Sequence, residues 1–541
     1  MNLLEFFNKE SDAPKFKIMF MAIISGFANG MLLAVINIAA EKVSNQQAEA
    51  KFFLLYIIAF ALYIYTQRYA LSEATIAVEN TVRQVRVRIA NKIRSSELSF
   101  IENIGHSDIY TRLTQDSNMI SQAVLLLVMG GQSGIVLIFS MLYLAWLSPL
   151  SFLITITAVT LAAVLYLSID KKVTEDLQNT TRKEAEFFEV LNHILKGFKE
   201  IKINRRKNDD VFSHVEKISQ ETEQLKVDVG IKLITMVMFS QMSFYILLAI
   251  LVFIMPVVVP THADIVFKIT AATLFIMGPL GMLVGAVPVI ARTNVALTNI
   301  YKLEAELDQA VRQSYKDQVS IELPPDFKEI RLEEVNFHYT DQVGKSLFSV
   351  GPINIALKQG ELLFIVGGNG SGKSTFLKVL TGLYYPSDGY LYLDDEEVDQ
   401  MSYQSYRELF AIIFTDFHLF DRFYGLSTID EQRVKSLLRL MELDKKTKYV
   451  NGKFTNVNLS TGQKKRLAFI AAVLEDKPIY IFDELAADQD PHFRQYFYEV
   501  ILKDLQKQGK TIIAVTHDDK YFNTADRVMK MEYGKLVDYY E

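Results

Sequence analysis

The chain has 541 residues, half of them hydrophobic, with a formal net charge of −6. That length exceeds one ordinary domain, and a mean hydropathy of +0.15 is high for a soluble protein of this size, so membrane segments are expected. The slight acidity gives no support to nucleic-acid binding, and the absence of cysteine excludes disulfides and thiolate metal sites.

Long apolar runs fill residues 18–291, and none follows. The candidate spans are Ile18–Ala40, Phe52–Tyr69, Ala123–Leu147, Leu150–Ile169, Leu233–Val259 and Ile269–Ala291. Each is close to or above the ~20 residues that cross a hydrocarbon core. One such run also suits a buried core helix; six in half a chain do not. The first is too long for a signal-peptide core and lacks a small-residue cleavage site, so it reads as a retained helix.

Basic residues set the orientation. Arg83, Arg86, Arg88, Lys92, Arg94 and Arg112 follow the second span, and a longer series from Lys171 to Lys207 follows the fourth. The positive-inside rule then places the N-terminus and both long loops in the cytoplasm, and the sixth span returns the chain there at Arg292. Residues 71–99 and 171–228 mix apolar and charged positions at helical spacing, so membrane helices are expected to run on into the cytoplasm. They turn back at breaks near Asn103–Ser107 and Asn192–Gly197. Asn29, Asn37, Gln132 and Gln241, inside spans, suit either a transport cavity or interhelical hydrogen bonds.

Residues 1–304 thus form a polytopic α-helical membrane domain with six transmembrane helices. A polar linker with Pro324-Pro325 occupies 305–327. From 328 to 541, short apolar strands alternate with amphipathic helices, the pattern of an α/β P-loop NTPase domain. The run Gly367-Gly368-Asn369-Gly370-Ser371-Gly372-Lys373-Ser374-Thr375 lies between the strand Leu362–Val366 and a helix, the context a P-loop requires. Its backbone amides and helix N-terminus suit phosphate; Lys373 offers charge to the β- and γ-phosphates of ATP, and Ser374 a hydroxyl to Mg²⁺. Downstream, the strand Ile479–Phe482 ends in Asp483-Glu484. The first acid can hold Mg²⁺ and the second can polarise an attacking water.

Leu459-Ser460-Thr461-Gly462-Gln463 opens a helix shortly before that strand. By itself it reads as a simple N-cap on Ser460. In this order and spacing it resembles the signature motif of the ATP-binding cassette family, and the resemblance extends along essentially the whole chain. It implies that Tyr339 stacks on adenine, and that Ser460, Gly462 and Gln463 close over ATP held by an opposite subunit. It also implies that Asp490 ends the D-loop and that His517 contacts the γ-phosphate.

Gly105–Asp116 and Glu189–Lys202 resemble the two coupling segments of type IV exporters, and six spans ahead of one cassette is that subclass's half-transporter layout. With one P-loop and one signature, the chain is expected to work with a second copy of itself. Phe417–Gly425, with Thr415-Asp416 before it, resembles exporters of cyclic peptides and peptide siderophores, which implies a compact peptide as cargo. A lipid or lipopeptide flippase, and a cassette ATPase that regulates without transport, remain alternatives. One departure stands out: the family usually has glutamine after the strand Ala411–Phe414, to complete the Mg²⁺ shell, and here Thr415 takes its place.

Overall fold

A computed structural model describes residues 3–44, 46, 49–104, 106–258, 265–310, 327–340, 346–399, 402–426 and 428–539. The chain divides into two compact units, Met1–Arg94 with Gly105–Asp308, and Ser95–Ile104 with Gln309–Glu541.

The first unit is helical: α1 Leu3–Glu10, α2 Lys15–Ser44, α3 Ala50–Ser95, α5 His106–Thr111, α6 Ser117–Leu147, α7 Pro149–Lys196, α8 Phe198–Ile203, α9 Arg205–Ala249, α10 Met255–Val258 and α11 Val266–Ala310. Helix α4, Leu98–Ile104, belongs to the second unit. Among the described residues, five stretches are long and apolar enough to cross a membrane: Lys15–Val43, Ala50–Ser95, Ile109–Leu147, Arg205–Val257 and Val266–Ala310. The fourth of the six spans is the start of α7, whose described apolar stretch is Pro149–Val164. Helix α3 has 46 residues, which at 1.5 Å per residue is about 70 Å, more than twice a hydrocarbon core. The polar extensions read from the sequence are therefore continuous with the spans.

The turning points differ in detail from the expected ones. The first loop already breaks at Ser96 and Glu97, ahead of Asn103. The second helix runs through Asn192, stops at Gly197, and the next long helix is capped by Asn204, whose Oδ1 accepts from the Lys207 amide at 3.1 Å.

Packing between α2 and α6 depends on two glycines one turn apart. A Cβ on Gly30 would overlap the Phe139 ring, and one on Gly26 would lie 2.8 Å from Ile135. Small residues at this spacing let helices approach closely in lipid. Gln132 Nε2 donates to Ser25 Oγ at 2.8 Å, and Asn37 Nδ2 to the Tyr143 hydroxyl at 3.5 Å. Those two polar residues therefore join helices; Gln241 is exposed and Asn29 half-buried. At the other end of the unit, α1 buries Leu3 and Phe6, and the Leu3 amide donates to Asn294 Oδ1 at 2.9 Å. Arg88 pairs with Glu10 and Glu304, both at 2.7 Å, while Lys92 reaches Glu304 at 2.8 Å and Asp308 at 2.6 Å.

In the second unit the strands are β1 Glu329–Thr340, β2 Ser346–Lys358, β3 Leu362–Val366, β4 Asp388–Leu393, β5 Glu396–Glu397, β6 Phe410–Ile413, β7 Tyr449–Val450, β8 Lys453–Phe454, β9 Ile479–Asp483, β10 Thr511–Val515, β11 Arg527–Glu532 and β12 Lys535–Asp538. The helices are α12 Lys373–Leu380, α13 Tyr403–Arg407, α14 Glu431–Leu440, α15 Thr461–Glu475, α16 Pro491–Tyr496 and α17 Leu502–Lys507. Six strands form one sheet in the order β12-β11-β3-β10-β9-β6, parallel except for β12, and β2-β1-β4-β5 form an antiparallel sheet. Period-2 alternation gives the parallel sheet two apolar faces. Leu363, Ile365, Ile481 and Ile513 enter one core, and Leu362, Phe364, Phe482 and Ile512 the other. The parallel strands thus bring the P-loop after β3, the acids ending β9 and the residues after β10 to one sheet edge.

Candidate active site

At that edge, Gly372 has φ +109°, a conformation that suits glycine and lets α12 begin within the P-loop. Lys373 is buried, and its Nζ donates to the carbonyls of Gly367 at 2.8 Å and Gly368 at 3.2 Å. The Ser371 hydroxyl is buried without a hydrogen-bond partner among the described residues, a polar atom that a phosphate oxygen would satisfy. Ser374 Oγ donates to Asp483 Oδ2 at 3.1 Å. Thr415 Oγ1 lies 3.5 Å from the Asp483 carbonyl. Burial pushes the Asp483 carboxyl above the usual range, against hydrogen bonds from Thr415 and Ser374 that pull it down. A buried carboxylate beside two hydroxyls is a hard, oxygen-only donor set that suits Mg²⁺ sharing its shell with phosphate oxygens.

Glu484 collects the other expected residues. Its Oε1 is 3.1 Å from His517 Nε2 and 3.9 Å from Lys373 Nζ. The Glu484 amide donates to the Val515 carbonyl at 3.2 Å, which ties this turn to the strand leading to His517.

Ser460 is the N-cap of α15 within a capping box. It accepts from the Gln463 amide at 3.4 Å, and Gln463 Oε1 accepts from the Ser460 amide at 3.2 Å. The signature also bonds to the D-loop: the Gly462 carbonyl accepts from Gln489 Nε2 at 2.9 Å. A Cβ on Gly462 would sit 2.7 Å from the Asp488 carbonyl, so this approach demands glycine. Asp490 caps α16 by accepting from the Phe493 amide at 2.9 Å, and it pairs with Arg466 at 2.8 Å. The signature and D-loop residues therefore form a second group, joined to the Glu484 turn by the Ala487 amide, which donates to the Glu484 carbonyl at 3.3 Å.

Tyr339 borders the P-loop helix, its hydroxyl 3.4 Å from Thr375 Oγ1 and 3.3 Å from the Tyr384 hydroxyl. Tyr384 stacks on Phe337 at 4.6 Å and reaches a residue that the motifs gave no reason to single out. Glu102, on α4, accepts from the Tyr384 hydroxyl and from Lys378 Nζ, the latter at 2.8 Å. Burial and then the Glu102 carboxylate push the Tyr384 hydroxyl up. Leu98, one turn earlier, packs on the same core. The segment of the first loop seated on the α/β unit is thus Leu98–Ile104, just upstream of Gly105–Asp116.

The chain is similar to known proteins in both halves. Residues 350–487 match the family model described as ABC transporter, and residues 15–280 the model described as ABC transporter transmembrane region. The chain is 32% identical to the ATP-binding protein SyrD of Pseudomonas syringae pv. syringae over 530 residues, covering 96% of this chain and 93% of that one. It is 25% identical to the ATP-dependent lipid A-core flippase of Yersinia pestis bv. Antiqua (strain Antiqua) over 482 residues, covering 84% and 79% of the two chains. Its fold matches a bacterial Atm1-family ABC exporter solved with ATP bound, with a TM-score of 0.75 at 16% identity, covering 96% of this chain and 93% of that one. With a family model matched in each half and one relative aligned along nearly its whole length, this chain belongs to the ABC transporter family, as an exporter-type half-transporter whose ATP hydrolysis is coupled to transport.

Proposed function

We propose that the protein exports a cyclic or otherwise compact peptide across the cytoplasmic membrane, working as a homodimer by alternating access. Two ATP molecules are held between the P-loop of one copy and the signature of the other. The observation that carries the hydrolytic part is the convergence of Lys373 and His517 on the Glu484 carboxylate, beside the Ser374–Asp483 pair.

In this reading Gly367 to Thr375 wrap the phosphates, Lys373 leaves the P-loop carbonyls for the β- and γ-phosphates, and Tyr339 stacks on adenine. Glu484 orients and polarises the attacking water, and His517 holds Glu484 and the γ-phosphate in register. Ser374 and Asp483, with Thr415 behind them, would hold Mg²⁺, which supplies neutralising charge on the phosphates. Ser460, Gly462, Gln463 and Asp490 face the second copy's nucleotide. Support for a second copy comes from the tip of the second loop: Leu195, Phe198 and Ile203 are 68%, 58% and 88% exposed, an apolar surface that a partner would cover.

The N-terminus, both long loops and the ATPase unit lie on the cytoplasmic side by the distribution of Lys and Arg. The peptide assignment rests on the Phe417–Gly425 resemblance. Phe417 and Phe423 pack into the ATPase core, so this stretch marks the lineage and does not touch cargo. A lipid-flipping reading draws on the lipid A-core flippase likeness. ATPase turnover in liposomes, measured with cyclic peptides, linear peptides or added lipopolysaccharide lipid, separates them. Stimulation by peptide supports export of peptide; stimulation by lipid alone overturns it. Glu484→Gln should bind ATP, accumulate a closed dimer and lose nearly all turnover, and near-normal turnover in that variant would remove the role given to Glu484.

A further inference from the structure

Lys464-Lys465-Arg466 reads as a basic run, and such runs are usually solvated. Lys465 is not. Its side chain is 3% exposed; its Nζ donates to the Glu484 backbone carbonyl at 2.8 Å and pairs with Asp488 Oδ2 at 2.7 Å. Glu484 has φ +53°, a left-handed conformation uncommon for a residue other than glycine. The Val515 carbonyl fixes the amide side of this residue. On the carbonyl side the Ala487 amide donates at 3.3 Å and Lys465 adds the shorter, charged bond at 2.8 Å, and the carboxylate is left facing Lys373 and His517.

Fold stability does not account for an ammonium here. Burying a charge is costly even when it is paired, and an unbranched apolar side chain would fill the same space without that cost. What the lysine adds is a directed bond to one peptide oxygen. Its position within α15 adds a second meaning. The N-terminus of that helix carries Ser460 and Gly462, the residues read as facing the second copy's nucleotide, while Lys465 grips the turn that carries this copy's own acid.

We propose that Lys465 is a positioning residue for ATP hydrolysis: it holds the Glu484 peptide in its left-handed turn, ties that turn to the D-loop through Asp488, and links the two nucleotide sites through α15. This rests on Glu484 being the residue that polarises water. A shift of α15 on engaging one nucleotide then moves the acid that serves the other.

The test uses the full-length transporter in liposomes, with turnover, ATP KM and thermal midpoint measured for Lys465→Met, Glu484→Gln and the double variant. Lys465→Met should lower kcat at least tenfold with KM within twofold, and should cause no further loss in the Glu484→Gln background, because both changes act through one group. Multiplying losses, a change in KM alone, or turnover within twofold of wild type would overturn the proposal. Lys465→Met/Asp488→Asn removes both charges and guards against a fold defect. It should keep a wild-type midpoint and the low kcat, whereas recovered kcat would put the loss on an unpaired Asp488 and overturn the role of Lys465. Near-normal turnover in Glu484→Gln alone would remove the Glu484 assignment itself; an inactive Glu484→Gln beside an unimpaired Lys465→Met would remove only the positioning role.

Discussion

Glu102→Gln should disconnect the first loop from the ATPase unit while leaving that unit able to hydrolyse ATP. The glutamate accepts from Lys378 at 2.8 Å and from the Tyr384 hydroxyl, and its side chain is 40% exposed against 16% for Lys378. A hydrogen bond to a charged group contributes about 1.5–3 kcal/mol, and a solvated ion pair about 0–1 kcal/mol. Glutamine keeps one acceptor, and Tyr384 keeps its bond with Tyr339 at 3.3 Å, so the net loss is about 1–2 kcal/mol. That is roughly a 5- to 30-fold shift toward the undocked segment. The assay is ATPase turnover with and without stimulating peptide, together with transport, in the same liposomes. Peptide stimulation and transport should fall together, several-fold, with basal turnover changed less than about twofold. Adding Tyr384→Phe to Glu102→Gln should cost little more, since both remove the same contact. Full stimulation and transport in both Glu102→Gln and Glu102→Ala would refute the reasoning.

Asp483→Asn should raise the thermal midpoint of the nucleotide-free protein at neutral pH by a few degrees, on the order of 1 kcal/mol, and abolish stabilisation by ATP with Mg²⁺. The sign follows from its raised pKa: the folded state disfavours the charge, so Asp483 costs stability as pH rises from the unfolded carboxyl pKa through the higher folded one, and asparagine removes that cost. A lower midpoint for Asp483→Asn at pH 7 would contradict it. Thr415→Ala should change turnover modestly, and Thr415→Gln should tighten the Mg²⁺ dependence several-fold; abolished hydrolysis in Thr415→Ala would mean that the hydroxyl participates directly. Gly30→Ala should destabilise the membrane unit by about 1–3 kcal/mol through overlap with Phe139, read as a lower midpoint and yield of detergent-solubilised protein, and an unchanged midpoint would deny close packing of α2 on α6.

Much of this was legible before any coordinates. Residues 362–366 and 479–483 are near-continuous apolar runs ending at motif residues, and a strand buried on both faces must read that way. The spans were legible because length and apolarity are direct demands of lipid. Glu102 and Lys465 were not. Lys465 sits in a basic run and Glu102 is the one charge of Leu98–Ile104, and only the packing of distant elements decides which charge is buried or docked. The second break was legible at Gly197, where α7 ends, but the first loop breaks at Ser96 and Glu97, about two turns ahead of Asn103, where no glycine or proline marks it. Gln132 and Asn37 show the same limit: a polar residue in a span needs a partner, but its identity lies a hundred residues away.

Helix α1 fits between parts of the chain that are made at very different times. Its Leu3 amide bonds to Asn294, and Glu10 accepts from the Tyr301 hydroxyl at 2.8 Å as well as pairing with Arg88. Helix α1 therefore finds its seat only when α11, 291 positions further along, has been synthesised. Without α11, Leu3 and Phe6, each 1% exposed in the folded chain, lose part of the surface that covers them. The docking of α1 closes the membrane unit on itself, end to beginning.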